Sequence, residues 1–152
     1  MIEPVKQGYR GYVSARPFGG YSIPVPVQSL VLRDYCSHNK LFFMLPVNEN
    51  VFPNSYMVLD GLIRDLRAFE GVVMCSMHML PRSKDRRLTI LNRILEQHCS
   101  IHFALEATVI NSVDDISRVE DLISLSQIAA GDRQLRALRA AATVVSDNLD
   151  IA

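Results

Sequence analysis

Four short apolar runs alternate with segments of helical periodicity, and this alternation constrains the fold of the chain more than any other feature. The runs are Tyr9–Ser14 (YRGYVS), Leu41–Val47 (LFFMLPV), Gly71–Met74 (GVVM) and Ser100–Leu105 (SIHFAL), each short enough for a strand and each followed directly by polar residues. Between them, Val27, Leu30, Val31, Tyr35 and Cys36 fall at helical spacing over Val27–Asn39. Tyr56, Leu59, Leu62, Ile63 and Leu66 do so behind a cap at Asn54 or Ser55. Leu88, Leu91, Ile94 and Leu95 do so behind a cap at Ser83, with Lys84, Asp85, Arg86 and Arg87 on a solvated outer face. Strict alternation of this kind predicts an open, mostly parallel four-stranded α/β sheet with helices on both faces. The strand order expected is the flavodoxin-like 2-1-3-4.

After the fourth strand, Val113–Ala130 repeats Ile116, Val119, Leu122, Ile123 and Ile128 along one stripe, with Asp114 and Asp115 near its N-terminus. Gly131-Asp132 is expected to interrupt this helix, and the Ala-rich segment Arg133–Ser146 to form another, with Asn148–Ala152 fraying. The chain of 152 residues reads as one α/β domain, 1–152, in which 113–146 is a C-terminal helical extension.

No apolar run reaches the roughly 18 residues of a membrane span, and the N-terminus lacks the apolar centre of a signal peptide. A cytoplasmic protein without membrane association is expected. Cys36, Cys75 and Cys99 lie far apart and read as reduced core thiols. His38, His98 and His102 show no ligand spacing, so no metal is expected, and the loops contain neither GxGxxG nor GxxxxGKS, so no cofactor is expected. Basic and acidic residues balance at 16 each, which argues against nucleic acid as a partner.

In open parallel sheets, ligands bind beyond the carboxyl ends of the strands. That rule selects Ser14 and Arg16 after the first strand, Asn48, Glu49 and Asn50 after the second, Ser76, His78 and Arg82 after the third, and Glu106 after the fourth. His78 suits acid-base work near neutral pH, or is simply satisfied in a polar crevice. Ser14 is a candidate nucleophile, or a hydroxyl that satisfies a loop. Arg16 and Arg82 could clamp an anion, or pair with Glu49 or Glu106, which are themselves candidate proton acceptors. Asn48, Asn50, Ser76 and Tyr12 complete the candidate ligand-binding set.

Two resemblances extend this reading. The order of elements, with YVS closing the first strand, Gln28 in the first helix, LPR after the central strand and a carboxylate after the fourth, is similar to the catalytic domain of serine recombinases (resolvases and invertases). That pattern has an Arg two residues before the nucleophilic Ser and an Asp-Arg-x-x-Arg run after the central strand. Here Ser14 matches the nucleophile, Tyr12 stands at the first Arg position, and His78-Met79 replace Asp-Arg, which leaves Arg82. In recombinases the arginine cluster neutralises the scissile phosphate, so the resemblance implies the fold more than the activity. It also implies a homodimer, or a larger even-numbered assembly, built on the stripe of Val113–Ala130.

The segments RGYVSARPFGG, IPVPVQSLVLRDYC, LPVNEN and VVMCSMHMLP also resemble the sporadic carbohydrate cluster family. That resemblance implies an enzyme of carbohydrate or sugar-containing metabolite biosynthesis. It would act by acid-base or electrostatic catalysis on a phosphorylated, nucleotide-activated or carboxylated sugar. The alternatives are a non-catalytic ligand-binding partner in such a pathway, or a divergent recombinase-like nucleic-acid enzyme.

Overall fold

The computed structural model describes residues 5–149. Its elements follow the order β1 (Tyr9–Val13), α1 (Val25–His38), β2 (Phe43–Asn48), α2 (Met57–Arg64), β3 (Gly71–Met74), α3 (Lys84–Glu96), β4 (Ser100–Phe103), β5 (Thr108–Ile110) and α4 (Val113–Leu149). By Cα packing the chain divides into two units, one through Ser117 and one from Arg118.

In the first unit, the sheet has the order β2-β1-β3-β4-β5. The parallel pairs β1–β2, β1–β3 and β3–β4 give the expected 2-1-3-4 core. The expected four strands become five, because the chain turns at once after β4 and β5 returns antiparallel to it. Ala107 takes a left-handed φ of 49° in that turn, and three residues of β-branched character, Thr108, Val109 and Ile110, suffice for an edge strand. So short a segment carries no alternation for sequence reasoning to detect. As for the helices, α1 packs on β1 and β2, α3 packs on β4, and α2 packs against α3.

β3 is buried at every position, as a central parallel strand must be. A Cβ at Gly71 would overlap the carbonyl oxygen of Ser100 on β4, so this strand can begin only with glycine. β2 is an edge strand instead of a buried one: Leu45 is exposed, and Pro46, which has no N–H for a ladder, is tolerated there.

Two helices depart from their expected faces, and α2 from its expected cap. In α1 the buried residues are Gln28, Leu32 and Cys36, while Val27 and Leu30 face solvent. A polar side chain lies inside because Gln28 carries three hydrogen bonds, described below. Neither Asn54 nor Ser55 caps α2; Asn54 has a left-handed φ of 58° and α2 starts at Met57 behind Tyr56, which gives no side-chain cap. In α3, Ser83 caps as expected by accepting from the Arg86 N–H. Arg87, however, leaves the solvated face: it is 4% exposed and donates to the carbonyls of Pro81 and Arg82.

The second unit is the remainder of α4, and the helix runs without interruption from Val113 to Leu149. Gly131 does not break it. An interior glycine costs about 1 kcal/mol relative to alanine, and here Ala-rich flanks and the Asp132–Arg136 ion pair one turn apart offset it. Asn148 and Leu149 belong to the helix, and 150–152 lie outside the described residues. Leu125, Ile128, Leu135 and Leu138 are exposed. Among the described residues, no helix is long and apolar enough to cross a membrane.

Candidate functional site

The loop that leaves β1 shapes the site. Phe18 and Tyr21 exchange two backbone hydrogen bonds of 2.9 Å across Gly19-Gly20, whose φ values of 56° and 80° belong to a tight primed turn open to glycine. A Cβ at Gly19 would lie 3.2 Å from the His78 ring, so this turn sits directly on the imidazole. Gln28 fixes the start of the loop: its amide oxygen accepts from the Ser14 N–H at 3.2 Å, and its amide nitrogen donates to the carbonyls of Ser14 (2.6 Å) and Ile23 (2.7 Å).

Ser14, Arg16, Pro17, Phe18, Tyr56, His78 and Met79 line one half-open cleft of about 30 Å³. At roughly 10–15 Å³ per water, it admits water-sized groups and does not surround a sugar nucleotide. Ser14 is 3% exposed, and its Oγ accepts the Arg16 N–H at 3.2 Å. The Arg16 guanidinium donates to the Ser55 carbonyl at 2.6 Å and lies 4.2 Å above the Tyr56 ring. Among the described residues it has no carboxylate partner. His78 stands on a 3₁₀ turn, Met77–Met79, that Ser76 caps by accepting the His78 N–H at 3.2 Å. The His78 imidazole itself has no hydrogen-bond partner among the described residues, which leaves both ring nitrogens available.

Four of the other expected residues, Tyr12, Glu49, Ser76 and Glu106, form two separate clusters. Glu49 is 3% exposed and accepts four hydrogen bonds, from Tyr12 Oη (3.0 Å) and from the N–H groups of Asn50 (3.0 Å), Val58 (3.1 Å) and Leu59 (3.0 Å). It therefore caps α2 from outside the helix, in the place expected for Asn54 or Ser55. Tyr12 is fully buried; burial first, and the Glu49 carboxylate second, hold its phenol protonated far above the usual range. A neutral phenol thus occupies the position where the recombinase pattern has a cation. The second cluster joins Ser76 Oγ and the Met77 N–H (3.2 Å) to Glu106 Oε1, while Glu106 Oε2 is buried with no partner. Burial, with Glu106 next in effect, pushes the neighbouring Cys75 thiol up to about 11.

Asn48 and Asn50 are exposed outside the cleft. Arg82 is exposed too and does not line the cleft, so the expected Arg16–Arg82 clamp is not assembled; nor does either arginine pair with Glu49 or Glu106. Sequence reasoning missed two contributors. Tyr56 was assigned to a helix core, yet it lines the cleft; Arg86 was assigned to solvent, yet its guanidinium lies 4.8 Å above the same Tyr56 ring and 3.2 Å from Asp60 Oδ2. No local spacing links residues 56 and 86, so only the packing of α2 on α3 brings them together.

Solved structures similar to this chain include two recombinase or integrase domains. The N-terminal catalytic domain of TP901-1 integrase is similar at a TM-score of 0.57 with 19% identity, over 83% of this chain and 98% of that one. A resolvase family site-specific recombinase from Streptococcus pneumoniae is similar at 0.57 with 10% identity, over 88% of this chain and 98% of that one. No protein-family model matches the chain, and no curated protein matches it significantly in sequence. The fold is thus that of a serine recombinase catalytic domain.

These findings correct the carbohydrate reading. The sugar ligand and the carbohydrate pathway leaned on the sporadic carbohydrate cluster resemblance, which no family model supports, and the exclusion of nucleic acid leaned on the balanced charge, whereas both neighbours are recombinase or integrase domains. The balanced charge does not decide the partner. A net charge of zero averages over the whole chain, while Arg16, Arg82, Lys84 and Arg86 are all found in the segments that follow β1 and β3.

Proposed function

We propose that the chain is a divergent nucleic-acid enzyme of the serine-recombinase kind, with Ser14 as the nucleophile that attacks a backbone phosphodiester. The observation that carries this reading is the placement of Ser14, Arg16 and His78 around one cleft at the carboxyl end of β1, in a fold shared with two recombinase catalytic domains. The Arg16 N–H already holds Ser14 Oγ in place. In the reaction, Oγ forms a bond to phosphorus and the bond to one bridging ester oxygen breaks. The proton leaves Ser14 for the unpartnered His78 imidazole, which returns it to the departing alkoxide. The Arg16 guanidinium, free of any carboxylate among the described residues, offsets charge on the non-bridging oxygens.

Two departures from the recombinase pattern shape this reading. A neutral Tyr12 and Met79 stand where the pattern has cations, and His78 stands where it has an Asp, so acid-base chemistry takes over part of what charge neutralisation does in the family. The test is strand cleavage of supercoiled and linear DNA by wild type, Ser14→Ala and His78→Ala. Nicking abolished by Ser14→Ala and reduced about 10²–10⁴-fold by His78→Ala supports the reading, whereas nicking unaffected by Ser14→Ala, or no DNA binding by wild type, overturns it.

A further inference from the structure

Arg16 and Arg86 reach Tyr56 from different parts of the chain, one from the loop after β1 and one from α3, and both guanidiniums stack on its ring, at 4.2 and 4.8 Å from the centroid. The ring's negative face stabilises each cation, but two cations sharing one ring repel each other, and the cluster contains a single carboxylate. Asp60 makes one contact with Arg86 at 3.2 Å, and both side chains are about two-fifths exposed, at 38% and 41%. That pair orients Arg86 without neutralising the cluster. Each guanidinium carries five donors, and the contacts above use one from Arg16 and one from Arg86. Ser55 Oγ is buried with no hydrogen-bond partner among the described residues, an unusual state for a hydroxyl.

We propose that Arg86, stacked with Arg16 on Tyr56, is the second cation of a phosphate clamp at the mouth of the Ser14 cleft, and that its ligand is the phosphodiester backbone of a nucleic acid. A diester has two non-bridging oxygens, one for each guanidinium, and its charge offsets the excess of one positive charge over Asp60. Neither Arg82 nor Arg86 lines the cleft itself, but Arg86 stacks on the Tyr56 that does, and so takes the place that the sequence assigned to the exposed Arg82. The ligand's identity rests on the function proposed above; the clamp itself rests on the stacked pair.

The test is the salt dependence of binding to a short labelled DNA duplex and to its single strand, read by fluorescence anisotropy between about 50 and 200 mM salt. Arg86→Ala should weaken binding to both and make the slope of log affinity against log salt shallower by about one unit. Arg86→Lys should restore the slope but only part of the affinity, because the charge returns without the two-point geometry. Asp60→Asn should bind at least as tightly as wild type. Thermal melting establishes that each variant is folded, and if Arg86→Ala is not, the Lys and Asn variants decide. Wild-type affinity and slope in Arg86→Ala, or in Arg86→Lys together with weaker binding by Asp60→Asn, overturn the clamp alone, because Ser14-dependent cleavage would persist. A wild-type protein that binds neither DNA overturns the clamp and the nucleic-acid function together.

Discussion

Replacing Glu49 should unfold the local architecture around β1 rather than merely slow a reaction, and the size of the effect follows from its four hydrogen bonds. In Glu49→Ala, the Tyr12 hydroxyl and the Leu59 N–H lose their acceptor in positions with no exposure to water. Each such group costs about 1–3 kcal/mol. The Asn50 and Val58 amides are more accessible, so water recovers most of theirs, while loss of the cap on α2 adds about 1 kcal/mol. The sum is about 4 kcal/mol, against a total stability of roughly 5–15 kcal/mol for a domain of this kind. Glu49→Gln keeps the volume but only one accepting oxygen, and should cost about 2 kcal/mol. Tyr12→Phe leaves the carboxylate its three backbone donors and should cost about 1 kcal/mol. Urea denaturation with an unchanged m-value measures all three. If Glu49→Ala lies within about 1 kcal/mol of wild type, while cleavage is lost, the carboxylate belongs to the chemistry and the capping argument is wrong.

Stability should also depend on His102, which burial holds below the usual imidazole range of 6.5 and which lies between Tyr9 and Tyr35, with Tyr35 Oη 2.8 Å from Nδ1. The folded state keeps it neutral and the unfolded state takes up the proton, so its contribution is present above pH 6.5 and is lost as pH falls below that value toward the folded pKa. Chemical denaturation across that range should fall by up to about 1.4 kcal/mol per pH unit, a slope that His102→Phe removes; an unchanged slope in that variant refutes the assignment. Cys75, pushed up to about 11 by burial and next by Glu106, is a thiol at pH 8. Iodoacetamide should therefore leave it unmodified in the folded protein and alkylate it after unfolding, and rapid native labelling would contradict its placement.

The sheet core was legible in the sequence because β1, β3 and β4 are short apolar runs with abrupt polar ends, and parallel order follows from the helices between them. Ser14, Arg16 and His78 were legible for the same reason: strand-end residues share an edge whatever the side chains do. Side-chain partnerships were not. Glu49 and Tyr12 occupy strand-end positions as expected but turn to each other and to α2, a choice set by unsatisfied helix N–H groups that no local pattern reveals. Tyr56 and Arg86 were invisible because their meeting depends on how α2 packs on α3. The face of α1 was misplaced because hydrophobicity alone was used to find it, whereas the buried anchor is Gln28, which exchanges hydrogen bonds with the backbone of Ser14.

The central claim is that Ser14 Oγ attacks a nucleic-acid phosphodiester, and the most direct measurement is mass spectrometry of the protein after denaturing quench of a reaction with DNA carrying a nick close to the cleavage position, so that the released end diffuses away. The account predicts a nucleotide-bearing adduct whose peptide mapping places the added phosphate on Ser14, absent from Ser14→Ala and diminished in His78→Ala and Arg16→Ala. Cleaved DNA with no adduct, or an adduct on any residue other than Ser14, would contradict it.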